Sequence, residues 1–334
     1  MTVPRVAWAG AVLALAALPL VLSLFQVVRL TVFIAFCLLA LSLDLIWGFG
    51  GILSFGQAAF FGVGGYAYGV VGINTGLTMF ALAAAALSAA VLAVLLGYFT
   101  FYGRIGAMYF AVITLTVTLI LHQVMGTTAD PRYAIGAARL GGYNGMTNIP
   151  SLALELPGRP PLLLDPVPLY YAVTALLLAI LALCGALMRS PFGRVLAAIR
   201  EDEGRTELLG YDVRWRKLMI FVLSGGVAGL AGGLFAAWGN FINPQVFSLS
   251  QSALVVIWVM VGGRGTLYGA IVGALVVQFL TSYLGAASVT YTTVVLGLIL
   301  VVIVLLFPRG LVPGLVGVAP RLLGRPGRLV PDSS

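Results

Sequence analysis

The chain has 334 residues, is 61% hydrophobic and only 8% charged, and has a mean hydropathy of +1.10 and a net charge of +8. Soluble domains carry about a quarter charged residues, so this composition excludes an ordinary globular protein and places the chain in a lipid bilayer. The basic residues sit at the ends of apolar runs with no soluble domain to gather them, which membrane orientation explains better than a nucleic-acid partner, and none is expected.

Apolar runs of spanning length recur without polar alternation, as helices require and barrel strands do not. In chain order they predict ten transmembrane spans, near 7–28, 30–47, 52–72, 78–99, 107–125, 167–187, 218–238, 246–261, 266–284 and 290–307. The fold class is therefore all-α, a polytopic inner-membrane bundle forming one domain over 1–334, with some helices broken or re-entrant. The first span is read as an uncleaved helix, since its apolar stretch is longer than a signal-peptide core. The third span carries Gly56, Gly62, Gly64, Gly65 and Gly69, and the eighth is short and ends at Gly262-Gly-Arg-Gly265. Cys37 and Cys184 lie in apolar runs without metal or redox spacing and read as core residues.

Two loops are long enough to fold. The segment 126–166 is rich in Gly and Pro and is expected to cover the extracytoplasmic mouth. The segment 188–217 holds seven basic residues and, within twelve positions, five of the ten acids in the chain: Glu201, Asp202, Glu203, Glu207 and Asp212. With this loop and the basic tail 308–334 inside, both termini are cytoplasmic and 14 of 18 basic residues face inward. Ser190-Pro191 predicts a helix start, with Val195, Leu196 and Ile199 on one face. Asp202 predicts the cap of a second helix, closed by Gly210 in the left-handed conformation. Leu208-Leu209 beside acids suits a surface docked into a soluble partner, with apolar anchors for affinity and charges for register, against the alternative of a solvated loop.

The stretches SLDLIWGFGGILSFGQAAFFGVGGYAYGV (42–70), RIGAMYFAVITL (104–115), RSPFGRVLAAIREDEGRTELLGYDVRWRKLMIFVLSGGVAGLAGGLFA (189–236) and NPQVFSLSQSALVVIWVMVGGRGTLYGAIVGA (243–274) together resemble the permeases of ATP-driven importers for branched-chain amino acids, with their urea and short-amide relatives. The likeness runs from about residue 30 to 312 and is nearest the LivM type. It implies a heterodimer with a sister permease, two cytoplasmic ATPases and an extracytoplasmic solute-binding protein. It also implies that Arg200, Glu201, Asp202, Glu203, Glu207, Gly210 and Tyr211 form the element that couples to the ATPase. Gly204-Arg205-Thr206 departs from the family, where small apolar residues are more usual.

A phosphate-binding loop needs lysine after glycine, and the only lysine, Lys217, follows Arg216. ATP and magnesium are thus expected on partner subunits, with no cofactor or catalytic residue in this chain. The solute passage is expected at the glycine-rich third span, with Ser54, Gln57 and Tyr66 as candidates against a reading of plain helix packing. Arg264 marks either the cytoplasmic boundary or an inner gate. Asn240 and Asn243-Pro244 either cap the seventh span or line the entrance. Asp44, alone inside an apolar run, and His122 are read as structural. The alternative function is a stand-alone secondary transporter or facilitative channel, which would want ionisable residues within the membrane.

Overall fold

The computed structural model describes residues 15, 17–155, 161–164, 166–286, 292–307 and 310–314. Residues 7–14 and 16 of the predicted first span and most of the tail 308–334 lie outside these residues.

The helix α1 covers Leu24–Leu43 and continues without a break into a π turn, Asp44–Phe49. Ser23 opens it, its N–H bonded to Gln26 Oε1 at 3.0 Å. The predicted boundary at Arg29 is corrected: Arg29 lies in the second turn of α1, its guanidinium 5.8 Å from the ring centre of Phe33. An arginine one turn from a helix end lays its stem on the apolar surface and keeps its head near water, so it need not end a span.

The helix α2 is Gln57–Thr75, and α3, Thr78–Gly97, runs into a second π turn, Tyr98–Tyr102. The helices α4 (Ala107–Gly126) and α5 (Val167–Arg189) flank the long loop. Two short helices follow, α6 (Pro191–Glu201) and α7 (Glu203–Leu208), then α8 (Val213–Gly239), α9 (Leu249–Gly262), α10 (Tyr268–Ala286) and α11 (Thr292–Leu306). Among the described residues nine of the ten predicted spans have a helix, and six of these helices are long and apolar enough to cross a membrane: α1 and α3 with their π turns, α4, α5, α8 and α10.

The centre of the bundle is α1, α2, α3 and α8. On α3, Ala81, Ala85, Ala89, Ala93 and Gly97 recur every fourth residue and are all buried, forming a stripe of small side chains along one face. This stripe meets the glycine-rich face of α8, and α8 meets α2 as closely: a Cβ on Gly232 would overlap the carbonyl of Phe61. Lipid gives no hydrophobic drive to press helices together, so close backbone approach between small residues supplies the packing. The opposite face of α3, with Leu87, Val91 and Leu95 and continued by Phe99 of the π turn, is exposed and apolar, as a lipid-facing surface should be.

The loop between α4 and α5 folds over one end of the bundle. Its first hairpin pairs β1 (Ala134–Ile135) antiparallel with β2 (Ala138–Arg139), and its second pairs β3 (Ala153–Leu154) with β4 (Leu162–Leu163). Asn74, at the end of α2, donates to Ile135 O and accepts from Ala137 N, both at 2.8 Å. Thr78 Oγ1 exchanges hydrogen bonds with Ala153, and Asn240 Nδ2 donates to Ile149 O at 2.9 Å. Asn240 therefore both ends α8, with φ of 51°, and ties down the cover. The helices α6 and α7 lie at the opposite end.

Candidate functional site

At the α6/α7 end, each turn of the chain follows from a cap. Ser190 Oγ accepts from Phe192 N (3.2 Å) and starts α6; Asp202 Oδ1 accepts from Arg205 N (3.0 Å) and starts α7. Gly210 adopts φ of 87°, which a residue with a Cβ takes up only with strain, and so closes the pair. Val195, Leu196 and Ile199 are buried, which pins α6 to the membrane bundle.

The other face of this element is open. Leu208 and Leu209 are 89% and 75% exposed, and Glu201, Glu203, Glu207 and Tyr211, close to them in sequence, also have partly or largely exposed side chains. Glu203 pairs with Lys217, and Glu207 lies 4.0 Å from Arg104 and 3.9 Å from Arg214. Pairs this exposed contribute little to stability, about 0–1 kcal/mol each, but they set the attitude of α7 against α8 and the α3–α4 turn.

Arg200 behaves unlike its neighbours. Its side chain, 39% exposed, reaches the edge of the bundle, where Nη1 donates to Gly48 O at 2.6 Å while Nη2 lies 3.8 Å from Glu201. Gly48 belongs to the π turn of α1, and from that same turn Asp44 accepts from Gly265 N (2.6 Å) through Oδ1 and from Leu267 N (2.9 Å) through Oδ2. Asp44 is fully buried, so it holds the α9–α10 loop to α1. Arg264 stands on the ring of Trp47, 5.3 Å from its centre, on the same turn.

The three passage candidates have different surroundings. Gln57 is buried in a polar network at the meeting of α1, α2 and α8, with Ser42 and Ser224. Ser54 lies in the buried irregular stretch before α2 and accepts from Gly56 N at 3.1 Å. Tyr66 stacks on Phe247, with ring centres 5.9 Å apart, and borders a cavity of about 330 Å³ between α2 and α4 under the first hairpin. Its hydroxyl is buried and has no hydrogen-bond partner. Ser42 and Ser224 escaped the sequence reading, although each is a hydroxyl inside an apolar run and so needed a partner. His122 also has a partnerless Nε2, its ring edge-on to Tyr143.

A polytopic helical bundle with a capped, partly apolar loop element at one end and a folded cover at the other has the build of a membrane permease. The chain belongs to the family described as branched-chain amino acid transport system / permease component, whose model matches residues 27–304. It is 30% identical over 314 residues to the high-affinity branched-chain amino acid transport system permease protein LivM of Escherichia coli (strain K12), covering 86% of this chain and 71% of that one. To the LivM of Salmonella typhimurium it is 29% identical over 88% of this chain and 72% of the relative. The ribose import permease protein RbsC of Bacillus subtilis is 32% identical over 42% of this chain and 45% of its own. No solved structure matches the chain.

Proposed function

We propose that this chain is one of two membrane subunits of an ATP-driven importer for branched-chain amino acids, in a bacterial-type inner membrane with both termini in the cytoplasm. The observation that carries this reading is the exposed Leu208-Leu209 pair at the end of a capped helix within an acid-rich segment. Two leucines in water serve no folding purpose, whereas a groove on a soluble ATPase gives them a place to be buried. The partners are a sister permease, two cytoplasmic ATPases that bind ATP and magnesium, and a solute-binding protein that docks on the 126–166 cover. This chain needs no cofactor and performs no hydrolysis.

The solute class follows the relatives whose likeness spans most of the chain, both named for branched-chain amino acids, whereas the ribose likeness covers less than half. The cavity beside Tyr66 supports a passage for such a solute: it is apolar-walled, as an aliphatic side chain prefers, and Tyr66 on its border carries a buried hydroxyl without a hydrogen-bond partner that a small side-chain movement would present to it.

The test is co-purification of the tagged chain from its native membrane, wild type beside Leu208→Asp/Leu209→Asp. These side chains have little to lose within the fold, so the variant keeps its structure. A P-loop ATPase and a second permease should arrive with wild type, and the ATPase alone should be lost from the variant. A wild-type chain that arrives alone sinks the reading. Uptake of labelled leucine, urea and ribose by reconstituted complex identifies the solute.

A further inference from the structure

Two separate segments converge on the π turn of α1, α6 and the α9–α10 loop. From α6 comes Arg200, donating to Gly48 O; from the α9–α10 loop come the N–H groups of Gly265 and Leu267, donating to Asp44; and Arg264 caps Trp47. Gly48 is near the last turn of α1, where helix carbonyls lack N–H partners of their own and the helix dipole is negative. A guanidinium is well matched to such a carbonyl, in charge and in geometry. The stem of Arg200 is held as firmly: a Cβ on Gly51 would meet its Cγ at 2.7 Å.

A π turn contains one residue more than the α turn it replaces, so it can rewind by moving one element past another. A turn that can rewind is suited to the discrete switching by which motion at one site reaches another. On α6 itself, Val195, Leu196 and Ile199 are buried and grip the membrane body through apolar contact, which resists separation more than sliding, while the exposed ion pairs of Glu203 and Glu207 hold α7 rather than α6.

We propose that Arg200 is a positioning residue of transport rather than a contact of the ATPase: its hydrogen bond to Gly48 transmits displacement of α6 to the π turn of α1, and Asp44 passes that displacement on to the α9–α10 loop. This rests on the importer reading above. When α6 is pushed, the Gly48 carbonyl follows Arg200, and the loop clamped by Asp44 follows the same turn. Without Arg200, α6 slides over its apolar seat and hydrolysis proceeds without import.

The experiment uses the full complex with its binding protein in proteoliposomes, and the solute that wild type carries best among leucine, urea and ribose. Wild type, Arg200→Met and Arg200→Lys are compared for ATPase retained, ATP hydrolysed and solute imported. Arg200→Met should keep the ATPase and its hydrolysis while import per ATP falls about tenfold, and Arg200→Lys, which keeps a charged donor, should recover most of it. A structural defect lowers assembly and both activities together and leaves that ratio alone. Should Arg200→Met fail to assemble, the ratio is read in Arg200→Gln. An unchanged ratio overturns the joint. Selective loss of the ATPase from Arg200→Met also overturns it, since Arg200 would then lie at the partner contact, with the importer reading intact. A wild-type complex without any ATPase overturns the importer reading itself, and does so before any substitution is made.

Discussion

Gln57 Nε2 donates to Ser224 Oγ, 3.0 Å away, and Gln57 Oε1 lies 3.0 Å from Ser42 Oγ, whose proton it shares with Leu39 O at 2.6 Å. Ser224 Oγ in turn donates to Ser42 O at 2.6 Å. One amide thereby pins three helices, α1, α2 and α8, at a level where no water competes. Gln57→Leu keeps the volume and removes two side-chain hydrogen bonds, each worth roughly 0.6 kcal/mol inside a membrane. The loss expected is about 1 kcal/mol, read by denaturant titration of the solubilised chain. No loss would mean the amide faces the passage instead.

Gly232 and Gly185 make a matched pair. A methyl group at Gly232 collides with the backbone of α2, which cannot step aside, so Gly232→Ala should cost about 1–3 kcal/mol and Gly232→Leu should prevent folding. Gly185, on α5, has nothing near its would-be Cβ, and Gly185→Ala should be neutral or stabilising by up to about 1 kcal/mol. Equal effects at the two sites, in the same titration, would contradict the packing.

Asp202 caps α7, and its removal by Asp202→Ala should cost about 1 kcal/mol locally. A helix opened by that amount is cut about fivefold faster, so limited trypsin digestion after Arg205 should accelerate while the spans stay intact. An unchanged cutting rate would show that the cap is idle.

Tyr66→Phe removes a hydroxyl that has no partner, so stability should stay within about 1 kcal/mol of wild type. Uptake should fall several-fold if that hydroxyl meets the solute. Normal uptake with normal stability would put the passage elsewhere.

The parts of the fold written in local chemistry were legible beforehand. Ser190, Asp202 and Gly210 each announce a cap by residue type alone, and the structure has α6 and α7 where these residues put them. Apolar length located nine helices, but length cannot see a π turn, because no residue type demands one, and so the Asp44–Phe49 turn and the tie from Asp44 to Leu267 were invisible. Arg29 misled for a related reason: a lone charge reads as a boundary until the helix around it shows where its head can reach. Arg200 sits in a run of charges that all read as solvent-facing, and its direction depends on a carbonyl 152 positions away in sequence. For Gln57, sequence left passage and packing open, and only the positions of Ser42 and Ser224 show what its amide touches.

The seam between α3 and α8 has one further consequence. Alanine and glycine have no rotamers to lose or exchange, so a contact built from them offers no side-chain rearrangement through which it could give way. Two helices joined in this manner behave as a single strut, and α8, with 27 residues, carries that strut over roughly 40 Å from Val213 beside the α6/α7 element to Asn240 beneath the cover. A tilt imposed at one end arrives at the other undiminished, which lets the two faces of the membrane keep step through stiffness alone.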